Sequence, residues 1–279
     1  MAYEVLIRFG VFLGLFALFA SLEALAPKRA RVRPRRGRWF TNLMMVAIDT
    51  LALRAVAIFV PFLAVGAALD AWSQGMGLFN HLRWPLVVEI GLSLLAMDFA
   101  IWLQHLITHK VPLFWRFHRV HHADLDMDVM TAVRFHPVEI LGSMAVKIGV
   151  VYLLGPQAVA VVLFEILLNG TALFNHANIA LPRWLDWVLR LVLVTPDMHR
   201  VHHSVEEDET NSNFGFNLTW WDRLLGTYRE QPRAGQLGMQ IGILGHAELK
   251  EVARLDGMLL MPFHGEIKDY AINRRSYAE

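Results

Sequence analysis

Four long apolar stretches constrain this chain more than any other feature. Tyr3 to Ala26 is almost wholly apolar and exceeds the roughly 20 residues that a helix needs to cross a bilayer. Phe40 to Leu69 follows, interrupted by Asp49 and Arg54. Next come Trp84 to Leu103, with Trp84 and Trp102 suited to the two interfaces, and Val138 to Asn175, broken at Gly155-Pro156. Hydrocarbon offers the backbone no hydrogen-bonding partner, so these stretches are read as helices. Composition agrees: 18% of residues are charged, against about 25% in soluble domains, and mean hydropathy is +0.38. The expectation is an all-α integral membrane protein with about four transmembrane helices: two N-terminal spans, a third span and a helical hairpin. Each half of the hairpin holds about 17 to 19 residues, near the lower limit for a span, so it is either two full spans or a shallower re-entrant pair.

Lys28 to Arg38 carries seven cations in eleven residues directly after the first stretch. A nucleic-acid or headgroup patch is one reading, and a positive-inside topology signal is the stronger one so close to a span. The net charge of +1 gives no global attraction to nucleic acid. The first stretch is too long for a signal peptide, and Pro27 and the basic run follow it in place of a small-residue cleavage site. With the basic loop in the cytoplasm, Asp70 to Asn80 becomes an external turn. The third span and the hairpin then both end on the cytoplasmic side. The expected organisation is N-terminal membrane helices and basic loop over 1–83, a catalytic region over 84–228, and a cytoplasmic tail over 229–279.

One pentapeptide occurs twice, as His118-Arg119-Val120-His121-His122 and His199-Arg200-Val201-His202-His203. On a helix, positions i, i+3 and i+4 share a face, so each copy presents a cluster of imidazoles. Neutral imidazole is the commonest side-chain ligand for a transition metal. His105 and His109, spaced i, i+4 at the end of the third span, add a pair. His136 and His176 stand singly near the clusters. Ten candidates exceed the roughly four to six ligands of one ion and suggest two ions, or one with a large surrounding shell. The chain has no cysteine, so any metal is held by nitrogen and oxygen. His81, His246 and His264 are isolated in loop-like contexts and are set aside. A ligating histidine usually donates its other N–H to a carboxylate or carbonyl. Asp98, Glu139, Glu165 and Asp197 are candidates for that role, and Asn175 is a further polar candidate beside His176.

Zinc can bind such a set but has no redox chemistry. Iron suits imidazole and activates oxygen at open coordination positions. A pair of irons can share the electrons of O2 reduction. At a membrane edge, such a site reaches lipid chains from one side and water, protons and reductant from the other. These residues therefore point to lipid oxidation. Arg119 and Arg200 fit acidic residues around the site, or headgroups, better than they fit metal chemistry.

The order His105-Leu106-Ile107-Thr108-His109, HxxHH, then a distal HxxHH resembles the fatty acid hydroxylase, or sterol desaturase, superfamily. Further matches are Arg134 to Glu139, Asn175 to Asn178, Asn213-Phe214-Gly215 and Trp221 to Tyr228, so that the likeness covers about Pro85 to Tyr228. The resemblance implies an integral membrane di-iron oxygenase using O2, with iron ligation by the three boxes and His176. Some members carry a histidine four residues before the one matching His176; here that position is Ala172, and His136 is the candidate replacement. No fused cytochrome-like domain is evident, so a separate electron-transfer protein or reductase is the expected partner, alongside a lipid substrate and the membrane. Hydroxylation and desaturation share a first hydrogen abstraction, and the boxes do not separate them. Oxidative cleavage of an ether lipid or aldehyde is the alternative within enzymes; a metal transporter, or a scaffold that keeps its histidines for structure, is the alternative outside them. Transporters place ligands near the midplane on broken helices, whereas these clusters fall at span ends. The compact chain without an evident organelle signal suggests a bacterial inner membrane, with the boxes facing the cytoplasm.

Overall fold

The computed structural model describes residues 3–59, 63–82, 84–243 and 252–264. His246 and part of the 229–279 tail lie outside them. Among the described residues, five helices are long and apolar enough to cross a membrane: α1 (Glu4–Leu25), α2 (Arg35–Phe59), α5 (Leu86–Lys110), α7 (Pro137–Leu154) and α8 (Ala158–His176). The hairpin is thus two long helices joined at Gly155, whose left-handed backbone (φ 62°) ends α7. α1 shows why such a helix needs lipid. Val5, Leu6, Ile7 and Phe9 are all more than half exposed, and a helix that is apolar all round has no face for water.

The second apolar stretch divides. α2 ends at Phe59, and Ala64–Ser73 forms a separate helix, α3, followed by a single turn, α4 (Leu78–His81). The small face of α3 (Ala64, Ala67, Ala68) packs against Met97 and Ile101 of α5, Val151 of α7, and Val161 and Phe164 of α8. Of the segment read from sequence as an external polar turn, Asp70 to Asn80, the first four residues complete α3, and residues 72–76 are exposed. Asp49 is buried, Arg54 is exposed, and the two do not pair among the described residues.

Shorter helices close one end of the bundle: α6 (Pro112–His122), α9 (Arg183–Leu189), α10 (Pro196–His202), α11 (Glu207–Thr210), α12 (Trp220–Leu224) and α13 (Gly235–Gly238). The basic loop is tied into this cap. Lys28 Nζ lies 2.7 Å from Asp197, and the carboxylate of Asp126 accepts from Val32 N and Arg33 N, both at 2.7 Å. Arg38, 5% exposed, donates to both oxygens of Asp124 (2.8 and 2.7 Å) and to Asp128 (2.9 Å). Burial opposes the Asp124 charge, yet Arg38 and Arg134 hold its pKa down to about 2. The loop between α1 and α2 and the histidine-bearing helices therefore share one end of the molecule.

Two stability changes follow from these contacts. A Cβ at Gly77 (φ 93°) would stand 2.2 Å from Gly155 N, whereas one at Gly10 meets nothing within 4 Å. Gly77→Ala is expected to lower the melting midpoint in detergent, and Gly10→Ala to leave it unchanged. Arg38→Ala strands buried carboxylates, a change that costs about 3–5 kcal/mol in other proteins, and is expected to lower the midpoint further. An unaltered midpoint in either variant would contradict the packing described.

Candidate metal centre

Four helix ends deliver the histidines. α5 brings His105 and His109 on one face of its last two turns, and Val111-Pro112 breaks the chain before α6. Pro112 and Pro196 each stand at the first turn of a box helix, where a missing N–H costs nothing. Thr195 caps α10 by accepting from Met198 N at 3.4 Å. His176 is the last residue of α8.

These residues converge in two groups. His105, His109, His118, His122 and His202 form one, and His121, His176, His199 and His203 the other; within each group the ligand atoms lie within 4.8 Å of one another. Neither copy of the pentapeptide serves one group alone. Positions i and i+4 of the first copy (His118, His122) join the first group, while its i+3 (His121) crosses to the second. The second copy does the reverse: His199 and His203 join the second group and His202 crosses back. The helix explains this, because i+3 and i+4 fall on opposite flanks of i, about 100° apart.

The partners behind the rings set which nitrogen carries the proton. A carbonyl or carboxylate oxygen can only accept, so the ring nitrogen facing it must donate. His105 Nδ1 faces Phe214 O at 2.8 Å, His118 Nδ1 faces Glu139 Oε1 at 2.6 Å, and His202 Nδ1 faces Ser212 O at 2.7 Å. In the second group, His121 Nδ1 faces Arg134 O at 3.2 Å and His176 Nδ1 faces Ala172 O at 2.7 Å. With Nδ1 donating, each of these rings turns its Nε2 inward, and in the neutral form that atom is a bare lone pair. Those lone pairs meet: His105 and His118 Nε2 are 3.0 Å apart, as are His121 and His176 Nε2. His118–His122 and His176–His199 follow at 3.2 and 3.1 Å. The Nε2 atoms of His109, His202 and His203 are buried without a hydrogen-bond partner. Lone pairs gathered this closely repel unless a cation lies between them. Two ligands about 2.1 Å from one ion and at right angles to each other lie ~3.0 Å apart, so the donor set fits a transition metal in each group.

None of the nine rings is more than 3% exposed. Burial first, and the neighbouring imidazoles second, push His121, His122, His199, His202 and His203 well below the usual histidine pKa. They stay neutral at ordinary pH, the form that binds metal.

Of the ten histidines expected from sequence, His136 lies outside both groups. It caps α7, its Nδ1 accepting from Val138 N at 3.2 Å while Nε2 faces Leu259 O at 3.3 Å, which leaves no free lone pair. Among the acidic candidates, only Glu139 touches one of these histidines. Asp98 sits two turns, about 10 Å, before His105 and instead binds Asn217 Nδ2 (2.7 Å) and Trp221 Nε1 (2.8 Å). Asp197 neutralises Arg200 (2.5 Å) and Lys28. Glu165 pairs with Arg8 (2.6 Å) and Lys147 (3.2 Å) in the helical bundle. Asn175 donates to Phe216 O at 3.0 Å, bracing the loop beside the site. Arg119 reaches the carbonyls of Met261 and His264. The residue missed was Asp222. It accepts from Phe214 N (2.9 Å), Gly215 N (2.8 Å) and Trp102 Nε1 (2.9 Å), so it shapes the loop whose Phe214 carbonyl orients His105. Its place in the Trp221 to Tyr228 motif was the available signal.

A cavity of about 160 Å³ opens beside His105 and His118, lined further by Gln104, Ser143, Lys147 and Phe216. A larger apolar groove of about 550 Å³ runs between α5 and α7, past Leu103, Ile107, Phe117 and Val146. Gln104, Thr108, Glu139 and Ser143 line both, so the groove adjoins the histidine-lined cavity.

Residues 90–227 match the family model described as Fatty acid hydroxylase. An ornithine lipid hydroxylase (OlsE) of Rhizobium tropici is 28% identical over 88% of this chain and 73% of its own length. Human cholesterol 25-hydroxylase is 30% identical over 57% of this chain and 58% of its own length. Alkylglycerol monooxygenase of Xenopus tropicalis is 30% identical over 49% of this chain, but only 30% of its own length is covered. No solved structure matches the chain. The matched region holds His105, His109, both HRVHH copies, His176 and the Asp222 loop, and over it the chain is similar to the fatty acid hydroxylase family.

Proposed function

We propose that this protein is a membrane-bound non-haem di-iron oxygenase that hydroxylates or desaturates a lipid, with O2 as co-substrate and a separate protein as electron donor. The observation that carries this reading is the pair of buried Nε2 clusters, one of which lines a cavity adjoining an apolar groove. The proposed ligands are His105, His109, His118, His122 and His202 for one ion and His121, His176, His199 and His203 for the other. Iron held there would supply O2 activation and oxidation of an unactivated C–H bond. The protein's own part is to fix the tautomers through Phe214, Ser212, Arg134 and Ala172 carbonyls and Glu139, to keep the rings neutral by burial, and to admit an alkyl chain between α5 and α7. Zinc would fit the same nitrogens but leave the groove without an oxidation to serve.

The relatives support a polar membrane lipid as substrate, since the ornithine lipid hydroxylase is matched along most of its length. We also propose that all five long helices span the membrane, that residues 84–228 form the catalytic region, and that the boxes face the cytoplasm of a bacterial inner membrane. The cationic loop packed against the cap supports that orientation. A transporter reading is disfavoured because the ligands sit at helix ends.

Protein purified anaerobically is expected to hold two irons per chain. His121→Ala and His202→Ala should each lower that content and abolish activity, while His136→Ala should keep both irons. Glu139→Ala, which frees His118 Nδ1, should weaken metal retention on the order of 10–100-fold. Lipids of cells expressing the protein should gain a species shifted by the mass of one oxygen or of two hydrogens. Less than one metal per chain, or full activity in His121→Ala and His202→Ala, would overturn the assignment.

A further inference from the structure

Beyond the histidine site, the cap carries a second large cavity, of about 980 Å³, between α9, Arg223 near the end of α12 and the 228–238 segment. Five cations line it (Lys28, Arg183, Arg190, Arg223 and Arg233) against three carboxylates (Asp186, Asp197 and Glu230). Lys28, Arg190 and Arg233 are ion-paired. Arg183 and Arg223 have no carboxylate partner among the described residues. The Arg223 guanidinium lies 4.0 Å from the Tyr228 ring centroid and donates to Arg190 O at 3.2 Å. Arg190 is 4% exposed, and its Nη2 has no hydrogen-bond partner. The cavity therefore holds an excess of positive charge and an unused buried donor.

Trp187 and Leu191 line the cavity, and Trp184, Trp220, Leu224 and Leu225 lie near them in sequence or at α12; all six are 40–74% exposed. They form one platform, because the strand-like pair Leu193–Leu218 and the bonds Thr219 N to Val192 O (3.0 Å) and Trp220 Nε1 to Leu191 O (3.0 Å) lock α9 to α12. Trp221 anchors this platform to Asp98, which lies five residues, about 7.5 Å, inside the end of the apolar stretch at Leu103. The platform thus lies beside a membrane-spanning segment, with tryptophan and arginine interleaved as in an interfacial belt.

We propose that this cavity binds the phosphate of an anionic phospholipid, with α9 and α12 seated in the headgroup layer. Arg183 and Arg223 contact the phosphate, and the tryptophans hold the acyl-chain side. The site is separate from the oxidation chemistry and stands whether or not the protein is an oxygenase. The test is native mass spectrometry of the full chain in detergent, titrated with dioleoyl phosphatidylglycerol or dioleoyl phosphatidylcholine, and with inorganic phosphate as a control. Wild type should bind phosphatidylglycerol at least tenfold more tightly than phosphatidylcholine, and millimolar phosphate should not displace it. An interfacial cation contributes about fivefold, so Arg183→Gln with Arg223→Gln should weaken phosphatidylglycerol binding on the order of twentyfold while metal content is unchanged. Equal binding of the two lipids by wild type, an undiminished preference in the double variant, or displacement by inorganic phosphate would each overturn the proposal. If the double variant does not fold, the wild-type preference decides.

Discussion

Much of the cap serves one electrostatic difficulty: nine imidazoles gathered out of water, most with ring nitrogens turned toward one another. Left alone, such an arrangement is repulsive, and each buried acceptor forfeits its water. The fold accepts this by fixing the rings from behind. Carbonyls of Phe214, Ser212, Arg134 and Ala172, and the Glu139 carboxylate, each claim an Nδ1 proton. Packing fixes the faces, with Trp115 4.7 Å from His109 and Phe135 stacked 4.6 Å from His121, centroid to centroid. The protein has placed its orientation energy in the backing shell, so that a cation entering each group would find ligands already aimed at it.

Lipid and metal meet because helix ends, not helix middles, carry the histidines. α5 and α8 are long and apolar and carry their imidazoles only in their last turns, while α7 starts beside Glu139 and forms the groove wall with α5. The groove along this helix–helix seam adjoins the histidine-lined cavity. On its other side, the basic loop and the 206–240 segment pack over the boxes, where Arg38 and Lys28 neutralise Asp124, Asp128 and Asp197.

Much of this was legible in the chain. Apolar length marked the long helices, Gly155-Pro156 marked the hairpin turn, and i, i+3, i+4 spacing marked the boxes. What escaped has a common physical cause, namely side chains whose partners are far away in sequence. The cations of residues 28–38 read as a topology signal, and two of them, Lys28 and Arg38, also pair with carboxylates 86–169 residues away. Asp98 shares a helix face with His105 but lies two turns off and meets Trp221 instead. His136 looked like a ligand by proximity, and only the Leu259 carbonyl and its capping bond show that its nitrogens are engaged. That each pentapeptide divides between both groups also lies beyond spacing, since a helical wheel gives the angle between rings but not what stands on either flank.

That division has a mechanical consequence. α6 and α10 are short helices, each contributing rings to both histidine groups. A small rotation of either helix about its own axis would move its i, i+4 pair away from one ion while driving its i+3 ring toward the other. The two ions would thus feel any displacement in opposite senses, as the pans of a balance do. A disturbance at either box would change the distance and asymmetry of the pair together rather than loosening one ion alone.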